Sequence, residues 1–178
     1  YQSVGDYKTI DGNLRLSIAA NDIRKNQFQQ IVSGYWFGSG KFYDPARVKQ
    51  GQRQIETDYI FMRVDEFYLL KAESLAKQGD AFLPQAKQAL KDLLQNRISD
   101  LSFIDSITNS TDLLKEIYHQ TRIEFWGEGK SYLAMKRNHM NVVRGQNHDA
   151  FKGLDIPSTD EKLTFKIPSA EVINNPNL

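Results

Sequence analysis

Arg63-Val64-Asp65-Glu66-Phe67-Tyr68-Leu69-Leu70-Lys71-Ala72-Glu73-Ser74-Leu75-Ala76-Lys77-Gln78-Gly79-Asp80 is the stretch that decides the fold. With Ile60 and Phe61 just upstream, Val64, Phe67, Tyr68, Ala72, Leu75 and Ala76 recur three or four apart, the period of one helix face. The spacing predicts a helix near 59–78, capped by Gly79. A second row, Ala86, Ala89, Leu90, Leu93 and Leu94, predicts a helix near 82–97, with Pro84 tolerable only in its first turn. So short a link makes the two antiparallel. Thr108-Asn109-Ser110-Thr111-Asp112 then offers N-caps for a third helix near 112–126, whose apolar face is Leu113, Leu114, Ile117, Tyr118 and Phe125. Gly127 and Gly129 interrupt it, and a fourth helix is expected near 130–138.

Outward from this block the periodicity fades. Before residue 58, Leu14, Leu16 and Ile18 alternate with polar residues, which suits a short half-buried strand. The run from Val32 to Pro45 holds three glycines and five aromatics, so it reads as paired strand or as an ordered aromatic loop. After residue 138 the chain turns polar and closes on the extended Leu163-Thr164-Phe165-Lys166-Ile167-Pro168. The expected organisation is a loop- and strand-rich segment 1–58, a helical region 59–138 and an irregular segment 139–178. The fold class is mainly α, with long ordered loops and little β. Ala76-Lys77-Gln78-Gly79-Asp80, followed by Ala86 and Leu90, looks like the waist of a tetratricopeptide helical hairpin, where small residues permit close helix approach.

Composition narrows the function. The 178 residues are 40% hydrophobic and 25% charged, enough for a sizeable core. A formal charge of +1 with no clustered cations gives no grip on a polyanion, so no nucleic-acid partner is expected. The absence of Cys removes disulfides, thiolate metal sites and cysteine nucleophiles. No apolar run reaches the roughly 20 residues of a membrane helix. Because the first residue is Tyr1 rather than Met, the chain is read as a fragment.

Catalytic patterns fail one by one. His119, His139 and His148 lie in no metal-binding spacing. Glu124 and Glu128 share a helix face as an acid and base might, but Arg122 and Lys130 are near enough in sequence to neutralise them. Lys41 after Gly38-Ser39-Gly40 suggests a phosphate loop, yet Tyr35 and Phe42 stand where Gly and Ser or Thr are needed. No Ser sits in a G-x-S-x-G elbow. Neither enzyme activity, metal nor cofactor is expected.

A set of segments covering most of the chain resembles, in order, the carboxy-terminal half of the SusD/RagB family. The stretch Arg63 to Ala76 ahead of Gly79 is similar to the family's R-x-x-E-x-x-L-x-x-A-E-A helix. Asn96-Arg97 ends the next helix, as is usual there. Arg122-Ile123-Glu124-Phe125-Trp126-Gly127-Glu128-Gly129-Lys130-Ser131-Tyr132-Leu133-Ala134-Met135-Lys136-Arg137 resembles the family's R-x-E-L-x-x-E-G-x-R-x-x-D-L-x-R signature. Ile167-Pro168-Ser169-Ala170-Glu171 to Asn174-Asn175-Pro176-Asn177-Leu178 is similar to its closing motif. Upstream, Asn21-Asp22-Ile23-Arg24 and Gly40-Lys41-Phe42 correspond to its D-P-R and K-Y landmarks. Departures are Ser131 for Arg, Ala134 for Asp, and Gln120-Thr121 for Glu-Arg.

The resemblance implies a nutrient-binding protein without bond chemistry, held by an amino-terminal lipid anchor outside this chain on the outward face of a Gram-negative outer membrane of the Bacteroidetes type. It would be the lid of a SusC-like TonB-dependent transporter and carry an oligosaccharide or peptide. The missing part would be amino-terminal. A tetratricopeptide-like adaptor gripping a protein is the alternative, and an enzyme a third. Arg63, Glu66, Arg122 and Glu128 are expected to be structural charges that lock helices and loops. Tyr35, Trp36, Phe37 and Tyr43 are the candidate ligand contacts, because aromatic faces stack on sugar rings; the alternative is that they are core.

Overall fold

A computed structural model of the chain describes residues 9–38, 41, 48–49, 52–53, 60–148 and 150–177. The fold is mainly α. Its centre is the antiparallel pair α2 (Val64–Ala76) and α3 (Leu83–Leu94), joined by a turn in which Gly79 takes φ +97°, a conformation open to glycine. Helix α5 (Ser110–Glu124) packs across both, after the short α4 (Ser102–Asp105). Asn109 caps α5 by accepting the Asp112 N–H at 2.9 Å, as the polar run predicts. Asp80 accepts from the Ser110 N–H and hydroxyl at 2.7 and 2.6 Å, tying the α2–α3 turn to the start of α5. Gly127 and Gly129, both with positive φ, carry the chain into α6 (Lys130–Arg137).

Ala86, Ala89, Leu90, Leu93 and Leu94 are all buried, against Leu69, Ala72, Ala76, Leu113, Ile117 and Phe125. The face of α2 differs from the expected one. Leu69, Ala72, Glu73 and Ala76 are buried, while Phe61, Val64 and Phe67 are 80%, 68% and 57% exposed. This helix carries apolar residues on two sides, and only one side meets α3 and α5. Buried Glu73 is held by Arg137 at 2.7 and 2.8 Å and by Lys77 at 2.9 Å. Burial would raise its carboxyl, but the Arg137 and Lys77 hydrogen bonds prevail and hold it at about 2.

The expected strand at Leu14, Leu16 and Ile18 is instead the helix α1 (Gly12–Ser17). Asp11 caps it through the Leu14 N–H at 2.9 Å, Leu14 and Ile18 lie one turn apart in the core, and Leu16 is exposed. Alternation and a four-residue spacing coincide over so short a run, and the cap decides. The aromatic run begins as a hairpin of β1 (Gln29–Val32) and β2 (Tyr35–Phe37), turning at Gly34 with φ +80°. Two further antiparallel ladders pair β3 (Val48–Lys49) with β4 (Gln52–Arg53), and β5 (Val142–Val143) with β6 (Asp155–Ile156). The closing segment holds a short helix the sequence pattern did not predict, α7 (Ser169–Asn174).

Candidate functional site

The charged landmarks, scattered over a hundred residues of sequence, meet around one carboxylate. Glu124, at the end of α5 and 5% exposed, faces three guanidinium groups. Arg24 Nη1 lies 3.2 Å from its Oε2, Arg63 Nη1 2.9 Å from Oε1, and Arg97 donates to both oxygens at 3.3 and 3.4 Å. Burial alone would push this carboxyl up; the Arg97 and Arg63 hydrogen bonds outweigh it and hold the group at about 2. Asp22 pairs with Arg24 at 2.6 Å, Asp65 with Arg63 and Arg97, and Glu128 with Arg63 at 2.9 Å and with Lys41 at 2.7 Å. Among the described residues the cluster thus sets four cations (Arg24, Lys41, Arg63, Arg97) against four carboxylates (Asp22, Asp65, Glu124, Glu128), a balance that lets so many charges leave water.

Lys41 reaches further. Its ammonium donates to the carbonyls of Glu124 and Trp126 at 2.6 and 3.0 Å, satisfying backbone oxygens released where α5 ends. The lysine of the failed phosphate-loop match is therefore a tether for this turn. Burial lowers its ammonium, with Glu128 opposing.

Of the four expected structural charges, Arg63 and Glu128 sit in this cluster, and Glu66 pairs nearby with Lys130 at 3.0 Å. Arg122 stands apart, its guanidinium 5.9 Å from the Tyr118 ring centre. The neutralisers of Glu124 and Glu128 are accordingly Arg24, Arg63, Arg97 and Lys41, and not the sequence neighbours Arg122 and Lys130. Of the departures, Gln120 takes part as an amide, accepting from Arg24 Nη2, and Ala134 is buried.

The aromatic residues divide. Phe37 is 5% exposed and lies in the core. Trp36, half-buried, packs against Ile10, Leu14, Ile18, Phe28 and Ile123, and the Arg15 guanidinium carbon lies 3.2 Å from its ring centre. Tyr35 is half-buried at the hairpin turn, and Tyr43 lies outside the described residues. Trp126, unassigned from sequence, meets Phe28 edge-on with ring centres 5.0 Å apart and presses on Gly38, where a Cβ would fall 2.1 Å from its ring.

Two of the histidines make polar side-chain contacts. His119 Nε2 lies 2.7 Å from the Ser17 hydroxyl, and His148 Nε2 lies 3.0 Å from Asp11, which also accepts the Gly145 N–H at 2.7 Å. With Asn147 bonded to Gly12 N–H and the Ile10 carbonyl, this clasp fastens the 145–148 turn to the start of α1. Burial raises the Asp11 carboxyl, but the Leu14 and Gly145 amides dominate and lower it. A groove of about 90 Å³ between α2 and α6, lined by Glu66, Leu69, Glu73, Phe125, Lys130 and Arg137, is far below the roughly 300 Å³ at which ligand pockets begin.

The family model of the SusD family matches residues 13–178, so the chain belongs to that family. No curated protein matches it significantly. Among solved structures, a SusD-like carbohydrate binding protein from Bacteroides vulgatus ATCC 8482 superposes with a TM-score of 0.70 at 23% identity, over 96% of this chain and 41% of that one. A SusD superfamily protein from the same strain gives a TM-score of 0.65 at 21% identity, over 89% and 35%. The chain therefore spans less than half the length of either structure.

Proposed function

We propose that the chain is the carboxy-terminal portion of a larger, non-enzymatic nutrient-binding protein, one that captures glycans or peptides at the cell surface and serves as the lid of a TonB-dependent transporter in the outer membrane. The observation that carries this reading is the family match over residues 13–178, supported by a structural neighbour described as carbohydrate binding. Among the described residues no helix is long and apolar enough to cross a membrane, which fits attachment through an amino-terminal lipid. The best placed acid–base pair, Glu124 and Glu128, is committed to arginine and lysine partners, and a carboxyl held at about 2 donates no proton near neutrality.

The exposed apolar row Ile60, Phe61, Val64 and Phe67 supports the larger domain, since soluble proteins seldom leave such a row uncovered. Supplying the preceding part of the gene product should raise solubility, and no change would favour an autonomous domain. The function is tested by calorimetry and pull-down of the whole protein against a panel of oligosaccharides and peptides, with a TonB-dependent transporter barrel as second bait. Binding of neither ligand class would remove the nutrient reading. Capture of a helical protein partner alone would favour the adaptor.

A further inference from the structure

Arg15 is set apart from the cluster arginines. Arg24, Arg63 and Arg97 each hold a carboxylate, as does Arg137, whereas the Arg15 side chain has neither an ion pair nor a hydrogen bond among the described residues. Its Nε is buried without a partner, and its guanidinium carbon sits over the Trp36 ring, 3.2 Å from the ring centre. Asp11, the N-cap four residues earlier, is already occupied by the Leu14 and Gly145 amides and His148. A cation left unneutralised beside an aromatic is held in place by the stack alone.

Stacking has two effects on what Arg15 can do. It covers the Trp36 face that a sugar ring would otherwise use, and it fixes a long, flexible side chain in one orientation before any ligand arrives. The N–H groups of a guanidinium lie in its plane, so a stacked one directs them sideways, past the ring edge. With Nε enclosed, the outward donors are those of Nη1 and Nη2, a fork whose geometry matches the two oxygens of a planar carboxylate. We infer that Arg15, stacked on Trp36, is a subsite for the carboxylate of an acidic sugar, a hexuronate, in the glycan this protein binds. The inference rests on the glycan reading above and narrows it from sugars in general to anionic ones.

The experiment is calorimetry of the whole protein with oligogalacturonates and glucuronate-containing oligosaccharides, each beside its methyl ester, which keeps the ring and removes the charge. Hydrogen bonds to charged groups predict that the acids bind roughly 10- to 100-fold more tightly than the esters, with the preference shrinking as salt is raised. Arg15→Gln should abolish the preference and leave ester binding in place. Arg15→Lys, which keeps a point charge without the fork, should retain part of it, and it serves as the second variant should Arg15→Gln fold poorly. Equal affinity for acid and ester in the unaltered protein would overturn the subsite while leaving glycan binding intact. So would a preference that survives Arg15→Gln, with a lowered melting temperature as the only effect. If neither acids, esters nor neutral glycans bind, the broader glycan reading falls as well.

Discussion

Between α2, α3 and α5 the contacts are aliphatic: Leu69, Leu90, Leu94, Leu113 and Ile117 interlock with Ala72, Ala76, Ala86 and Ala89, whose small side chains let the helices close up. Residues 10–38, with Lys41, have a smaller apolar cluster of Ile10, Leu14, Ile18 and Phe28, and their fixed points are charges: Asp22 and Arg24 at Glu124, Lys41 at Glu128, and Asp11 at the 145–148 turn. A helix places its apolar side chains by its own period, so helices find one another through buried area. An irregular segment has no period, and discrete polar partners set its position instead.

The comparison is broken most directly by Glu124→Ala. Removing the shared carboxylate leaves three guanidiniums facing one another, and stability should fall by about 3–5 kcal/mol in denaturant titrations. A loss below about 1 kcal/mol would mean that the charges merely decorate the contact. The same residue predicts an acid profile. Folded Glu124 and Glu73 hold their protons only near about 2, against an ordinary 4.5, so their contribution is full above about pH 4.5 and disappears as pH falls towards 2. Glu124→Gln should flatten unfolding curves across that window and leave the range above pH 5 parallel. On the aliphatic side, Leu90→Ala should cost roughly 2–5 kcal/mol, with no change in the acid profile.

Smaller changes sharpen the contrast. Gly38→Ala puts a methyl into the Trp126 ring and should cost about 1–3 kcal/mol, read most clearly as a shift in tryptophan fluorescence. Asp11→Ala removes the α1 cap and the clasp at Gly145, and about 1 kcal/mol is expected. Hydrogen exchange should then quicken at Leu14 and Gly145 and stay unchanged in α3; equal quickening in both would deny the segment its separate means of attachment.

The α3 face was legible residue by residue, because its apolar positions lie on one side and a polar face opposes them. The α2 face was not: with apolar residues on two sides, periodicity marks a helix but cannot choose which side α3 and α5 will cover. Leu14, Leu16 and Ile18 misled for a related reason, since three residues fit either period until Asp11 caps the turn. Arg63 and Glu128 stand out in the sequence as charges in need of partners, but their company could not be read there. Arg24, Lys41 and Arg97 appear in the quoted motifs only as landmarks, and nothing local says that they converge. Ion pairs formed across 60 to 100 positions leave no period behind them. The Arg15–Trp36 stack is hidden in the same way, its members being 21 residues apart by their numbers and on different elements.

The position of Glu124 in the chain also sets a schedule. Translation is vectorial, and Arg24 is made a hundred residues before the carboxylate it binds. At about 5–20 residues per second, that separation corresponds to roughly 5–20 s on the ribosome. Throughout that interval Arg24, Arg63 and Arg97 are made one after another with no anion common to all three to gather them. The α2–α3 hairpin can close as soon as residue 94 is out, whereas the segment before it must wait for the end of α5. This part of the protein is thus assembled from its helical hairpin outward, and the segment ahead of the hairpin is among the later ones to find its place.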